Sequence, residues 1–119
     1  PSNPVVSIGP LLALPAVQSA IEARRERVVA ISPIIGGAAL KGPADRMLRE
    51  LGFESNVRGI ARWYQPFVRT LVIDEADRAS ADDVRNEGVD VVVTDTVMSR
   101  PGVGASLARA ALDAAGVVR

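Results

Sequence analysis

The sequence predicts an α/β domain in which helices cover both faces of a mainly parallel sheet. Three observations carry that expectation. The apolar share of 48% comes almost entirely from Val, Ile, Leu and Ala, with aromatic residues at only 3%, so the core is aliphatic, with β-branched strands against Ala/Leu helices. The short aliphatic runs are continuous rather than alternating, as strands buried on both faces are. Helix-like segments separate those runs in regular order. The 119 residues fit one domain, able to bury somewhat over ~60% of the surface its unfolded chain exposes.

Four strands are expected: "VVSI" at 5–8, "RVVAI" at 27–31, "TLVI" at 70–73 and "VDVVV" at 89–93. Between the first two, residues 14–25 form a helix pattern with Pro15 in its first turn, an apolar stripe of Val17, Ala20 and Ile21, and a charged end. The charge run "EARRER" at that end reads as a solvated helix terminus. "PADRMLRELG" starts on Pro43 and stops at Gly52, a residue suited to a left-handed cap. "SNVRGIARWY" offers Ser55 as N-cap and ends before Pro66. "SADDVRNEG" starts at Ser80, with Asp83 in a capping-box-like position, and ends at Gly88; the last helix, "GASLARAALDAAG", runs to Gly116. The order is β-α-β-α-α-β-α-β-α. The chain opens on "PSNPVVSIG" without an initiator Met, inside what reads as an ordered loop and strand, as a fragment would.

The formal charge is zero, with 14 basic and 14 acidic side chains, so no whole-molecule field draws in nucleic acid or an anionic membrane. Any anion site must be local. Histidine and cysteine are both absent. That removes disulfides, thiolate metal sites, Ser-His-Asp triads, Cys-His pairs and imidazole proton shuttles from this chain's own chemistry. What remains is carboxylates, hydroxyls, Lys, Arg, backbone N–H groups, or a hard metal held by oxygen. No apolar run reaches the ~18 residues of a spanning helix, and the expected setting is the cytoplasm.

In a doubly wound sheet ligands bind beyond the carboxyl ends of the strands, and four stretches lie there or lead in. After the second strand comes "SPIIGGAALKGPADRML", residues 32–48. Gly36 and Gly37 allow close backbone approach, a helix N-terminus follows, and Lys41 beside Gly42 adds positive charge. The stretch reads either as a phosphate cradle or as a sharp strand-to-helix turn. It is not a P-loop, because Lys41 precedes Gly42. Before the first strand, Ser2 and Asn3 stand between two prolines, placed to donate to a phosphate or a base edge or to make an ordinary turn. After the third strand, "VIDEAD" imitates a helicase motif, yet no Gly-Lys-Ser/Thr occurs anywhere, so that reading fails. Asp74, Glu75 and Asp77 remain possible oxygen ligands for magnesium or members of a solvated turn. After the fourth strand, Thr94, Asp95 and Thr96 form a hydroxyl-carboxylate-hydroxyl group that either meets a ligand or caps a turn. Gly102 and Gly104 lack the third glycine of a dinucleotide fingerprint, since Leu107 fills its place. Trp63 and Tyr64 read as core or interface residues.

"PSNPVVSIGPLLALPAVQSAI", "ISPIIGGAALKGPADRMLRELG", "VIDEAD" and "VVVTDTVM", in this order and spacing, resemble the carboxyl-terminal portion of the 2-phospho-L-lactate transferase family of coenzyme F420 biosynthesis. The likeness spans almost all of the chain, and "SPIIGGAALKGPAD" is its most specific part. The resemblance implies a Rossmann-like, three-layer α/β/α enzyme of which residues 1–119 are one α/β portion, too incomplete to be active alone. It implies transfer of a 2-phospholactyl or enolpyruvyl-phosphate group from a guanosine-diphosphate-linked donor to the deazaflavin Fo. GMP is released with Mg2+ as the cofactor, and the enzyme is expected to be a homodimer. Carried over position by position, nucleotide and phosphate contacts fall on Ser2, Asn3, Ser32, Gly36, Gly37, Lys41 and Gly42, and substrate or metal contacts on Thr94, Asp95 and Thr96. No residue is assigned to the metal itself. With the family in view, the stretch after the second strand becomes a diphosphate cradle. In-line phosphoryl transfer suits a chain without histidine, because it depends on positioning and charge neutralisation. "SNPVVSIGP" also has a looser echo in gluconeogenesis-factor proteins, which implies the alternative of a non-catalytic nucleotide-sugar-binding regulator.

Overall fold

The computed structural model describes residues 2–37 and 43–117. Its opening differs from the expectation of a first strand. Residues Pro4–Ile8 form a π-helical turn that runs directly into α1, Gly9–Leu12. Asn3 dictates this. Its backbone is extended, its Oδ1 accepts from the N–H groups of Val5 and Val6 at 2.9 and 3.0 Å, and Pro4 occupies the first helical position. An Asn cap followed by proline is a helix start, and it overrides the β-preference of two valines and an isoleucine.

Helix α2, Pro15–Glu22, begins on its proline as expected, but none of its residues is buried. The charge run that follows contains a 3-10 turn, Arg25–Arg27. It is not wholly solvated, for the Arg25 guanidinium donates to the carbonyls of Gln65 and Gly88 at 3.0 and 3.3 Å. Strand β1, Val29–Ile31, leads toward α3, Pro43–Glu50. That helix closes at Gly52, whose φ of +83° is left-handed, with the Phe53 N–H donating back to the Leu48 carbonyl at 2.8 Å.

Helix α4, Val57–Tyr64, is capped one residue later than expected. Asn56, not Ser55, accepts from the Gly59 N–H at 2.9 Å. Strand β2, Thr70–Asp74, passes into a 3-10 turn, Glu75–Ser80, and then α5, Ala81–Asn86. Ser80 holds the N-cap position of α5 without a side-chain cap bond. The chain reaches it already helical rather than extended, and the capping hydroxyl geometry needs an extended residue. Strand β3, Asp90–Thr94, and α6, Val103–Ala114, complete the order, with Gly102 turning the chain at φ +79°.

Among the described residues the strands form one parallel sheet in the order β1-β2-β3. Three strands, not four, build it. Central β2 is buried throughout. Leu71 and Ile73 join the main aliphatic cluster with Ile34, Leu48, Val57, Ile60 and Val84. Strand alternation turns Val72 to the opposite face, where α6 packs across β1 and β3 and buries Val103 and Leu107. The result is the expected three-layer α/β arrangement, in which register aligns the carboxyl ends: Ile31 lies opposite Val72, and Asp74 opposite Thr94. No single helix among the described residues is long and apolar enough to cross a membrane.

Candidate functional site

At the carboxyl edge, the centre of the sheet fastens both neighbouring loops. Asp74 ends β2 with its side chain 5% exposed. Its Oδ1 accepts from the backbone N–H and the hydroxyl of Thr96, at 2.8 and 2.9 Å, and its Oδ2 accepts from the Ala76 N–H at 3.0 Å. Asp77, equally buried, reaches the other way. Its two oxygens accept from the N–H groups of Gly36 and Gly37, at 3.0 and 2.5 Å. One carboxylate thus ties β2 to the loop after β3, and the other ties it to the loop after β1.

Gly36 and Gly37 both have left-handed backbones, at φ +67° and +71°. This conformation turns two consecutive N–H groups toward one anion, and only glycine adopts it without strain. The donors that the sequence suggested for a diphosphate are therefore held by an internal carboxylate. Ser32, fully buried, donates its N–H to the Val72 carbonyl at 2.8 Å, and its Oγ accepts from the Ile34 N–H at 3.1 Å. It extends the β1–β2 ladder and shapes the exit from the strand. Lys41 and Gly42 lie outside the described residues.

The Thr94-Asp95-Thr96 group is likewise engaged. Thr96 is buried against Asp74. Asp95 accepts from the Val97 N–H at 2.9 Å and pairs with Arg100 at 3.0 Å. Thr94 is a half-buried strand end. Burial alone would push the Asp74 carboxyl up, but the hydrogen bonds from Ala76 and Thr96, aided by the charge of Arg100, outweigh it and hold the group below the usual carboxylate range. Asp74 is therefore ionised near neutral pH.

Asn3 caps the opening turn with its carboxamide oxygen. Ser2 lines an apolar cavity of about 290 Å³ running along β1, with Ile8, Leu12, Ile21, Tyr64 and Phe67 among its walls. Among the described residues no hydrogen bond joins Ser2 or Asn3 to the glycine loop. Burial raises the Tyr64 phenol to about 12, and Trp63 packs edge-on against Phe53 with ring centroids 5.5 Å apart; both are packing residues, as the sequence suggested. Asp74, Asp77 and Asp95 accept from the chain's own donors, and among the described residues no group of three or more His, Cys, Asp or Glu side chains is arranged to hold a metal ion. By sequence alone Asp74, Glu75 and Asp77 are possible oxygen ligands for magnesium or members of a solvated turn. The available clue to the role of Asp74 and Asp77 as fasteners was position: two carboxylates after the central strand, with a Gly-Gly pair after the strand beside it.

Residues 1–110 match the model of the family described as 2-phospho-L-lactate transferase CofD. The chain belongs to that family. Similar CofD-family proteins include the 2-phospho-L-lactate transferase of Methanococcoides burtonii, 41% identical over 109 residues, which cover 92% of this chain and 35% of the relative. The phosphoenolpyruvate transferase of Thermobifida fusca is 44% identical over 116 residues, covering 97% and 34%. That of Mycolicibacterium smegmatis is 38% identical over 117 residues, covering 98% and 36%. The chain spans about a third of the length of these curated CofD-family relatives.

Proposed function

We propose that this chain is the carboxyl-terminal portion of a cytoplasmic transferase of coenzyme F420 biosynthesis. The enzyme moves a 2-phospholactyl or enolpyruvyl-phosphate group from a guanosine-diphosphate-linked donor to the deazaflavin Fo. The observation that carries the reading is the family match over residues 1–110, together with relatives named both 2-phospho-L-lactate transferase and phosphoenolpyruvate transferase. The acceptor hydroxyl of Fo forms a bond to the phosphorus of the transferred group, the bond to the GMP oxygen breaks, and the hydroxyl proton is released. A chain without His or Cys contributes to such a step by binding and charge neutralisation rather than by covalent catalysis.

Within that reading the segment after β1 has divided labour. Gly36 and Gly37, whose amides Asp77 accepts, shape the loop. Lys41, Gly42 and the backbone leading to α3 hold the diphosphate. Ser2 and Asn3, and the Thr94-Asp95-Thr96 loop, border the site. Mg2+, a cation usually held by one or two carboxylates together with substrate phosphates, is the expected cofactor, and no described residue is assigned to it.

The test is a transfer assay with the protein expressed from its complete reading frame, supplied with Fo and the guanosine-linked donor, following GMP release, beside calorimetry with GDP and with UDP-sugars. GMP release and preference for GDP are expected, with Lys41→Met weakening GDP capture. Preference for a uridine ligand with no product on Fo would turn the assignment to the nucleotide-sugar regulator.

A further inference from the structure

Among the described residues β1 is an edge of the sheet, yet it lacks the features that keep an edge free. Val29, Ala30 and Ile31 are all apolar, whereas an edge that stays unpaired is blunted by charge or by proline. The opposite edge has such a feature: β3 opens on Asp90, exposed and paired with Arg69 at 2.9 Å. Val28 and Ser32 bond to β2, and direction alternates along a parallel ladder, so Val29 and Ile31 turn their N–H and C=O groups away from β2. What lies beside them is apolar. The cavity of about 290 Å³ is lined by Val28 and Ala30, which pack toward the main cluster, and also by Val29 and Ile31, which alternation puts on the other face. It therefore opens along the edge of the strand rather than over one face, and no side chain lining it is charged. Backbone groups turned into such surroundings are costly unless paired. The opening helical segment, which supplies Ile8, Leu12 and Ile21 to the cavity wall, is itself underpacked: Val6, Leu11 and Leu14 are about half exposed, and α2 buries none of its residues. Contiguous apolar surface of this kind marks a place where other protein packs.

We propose that the β1 edge and the cavity along it are the docking surface for another part of the same protein, outside residues 1–119, which adds a strand beside β1 and sends apolar side chains into the cavity. The proposal rests on that part of the functional reading which makes this chain one portion of a longer protein. The curated relatives hold about two-thirds of their length outside the stretch this chain matches, enough for further strands, and a parallel sheet with helices on both faces grows at its edge. The added backbone bonds the outward groups of Val29 and Ile31, as in other strand additions. A second copy is a poorer occupant, since it brings only its own β1, a strand of three residues. A nucleotide or other anion finds no counter-charge on these walls.

The experiment measures residue-resolved amide exchange and thermal midpoints, without substrate, in the protein expressed from its complete reading frame. Val29 and Ile31 are expected to exchange within about tenfold of Leu71, Val72 and Ile73, at rates constant over a roughly hundredfold range of protein concentration. Val29→Pro removes an outward donor and no bond of the β1–β2 ladder, and Val28 before it is already extended, at φ −89° and ψ 129°, as the residue preceding a proline must be. Its control is Val29→Ala, which also trims the side chain but keeps the N–H. The proline variant is expected to melt about 5 °C or more below the alanine variant, with Ile31 exchanging faster. Exchange at Val29 and Ile31 faster than the tenfold bound would overturn the proposal, as would a proline variant no less stable than the alanine one. Protection that grows with protein concentration would overturn it in favour of a second copy. If Val29→Pro does not fold, the wild-type rates and their concentration dependence decide alone. Neither readout involves a substrate, so the two readings fail separately: slow exchange at Val29 and Ile31 in a protein that releases no GMP would uphold the docking surface and discard the transferase.

Discussion

Asp74 shows how a buried charge can be held by neutral donors. Three hydrogen bonds, two from backbone N–H groups and one from the Thr96 hydroxyl, replace the water that its ionised form loses on burial. The folded carboxyl lies below its usual value, so the sign of its pH dependence is fixed. A depressed acid contributes stability that is fully present above the unfolded value of about 3.9 and is lost as pH falls through the lower folded value. Asp74→Asn keeps an acceptor for Thr96 but sets an NH2 group against the Ala76 N–H. At pH 7 the variant is expected to lose roughly 1–3 kcal/mol. The gap to wild type should narrow as pH drops below about 4, because wild type then loses the charge that the variant lacks. Urea midpoints at pH 7 and pH 3 check this, and a gap independent of pH would contradict it.

Helix α4 depends on a close approach that its sequence barely announces. Gly59 sits in the first turn, and a Cβ built there would lie 1.7 Å from the Glu54 carbonyl oxygen. The same turn is pinned by Asn56, which caps the Gly59 N–H. Gly59→Ala would gain helix propensity, on the order of 1 kcal/mol in an exposed helix. Here backbone would have to move instead, so a net loss of roughly 1–3 kcal/mol is expected, read as a lower thermal midpoint; a rise would show that the 54–57 segment yields freely. This element illustrates what the sequence made legible. Strands β1, β2 and β3 were readable because their aliphatic runs are continuous, although only central β2 is buried throughout, and α3 and α5 because glycines mark their ends. The opening turn differs from the expected strand because "VVSI" fits a buried strand by composition, while the decisive signal is Asn3 before Pro4. The motif stretches of the candidate site could be found by composition. The pairing of Asp77 with Gly36 and Gly37 could not, because it spans 40 residues and exists only once β1 and β2 lie side by side.

At the scale of the whole molecule, the three-stranded sheet of the described residues has two edges and a single protected strand. The ladder fixes which amides face outward. On β1 the Val28 carbonyl accepts from the Arg69 and Thr70 N–H groups, and the Ser32 N–H donates to the Val72 carbonyl. Because successive residues of a parallel ladder alternate in direction, Ala30 faces β2 while Val29 and Ile31 turn their N–H groups away. On β3 the Asp90 N–H donates to the Arg69 carbonyl, so Val91 and Val93 turn outward by the same rule. The residues of β1 are only half-buried, those of β2 fully so. An outward amide without a ladder partner exchanges through small local openings, whereas an amide in the central strand exchanges only when the sheet opens. In this 119-residue chain, Val29, Ile31, Val91 and Val93 are therefore expected to exchange markedly faster than Leu71, Val72 and Ile73. Ala30 should behave like the central strand although it lies between two fast neighbours. Residue-resolved hydrogen exchange reads this alternation directly. Uniform protection along β1 would mean that its outer side is paired, either with a second copy, which would make the rates depend on protein concentration, or with a part of the chain outside the described residues, which would not.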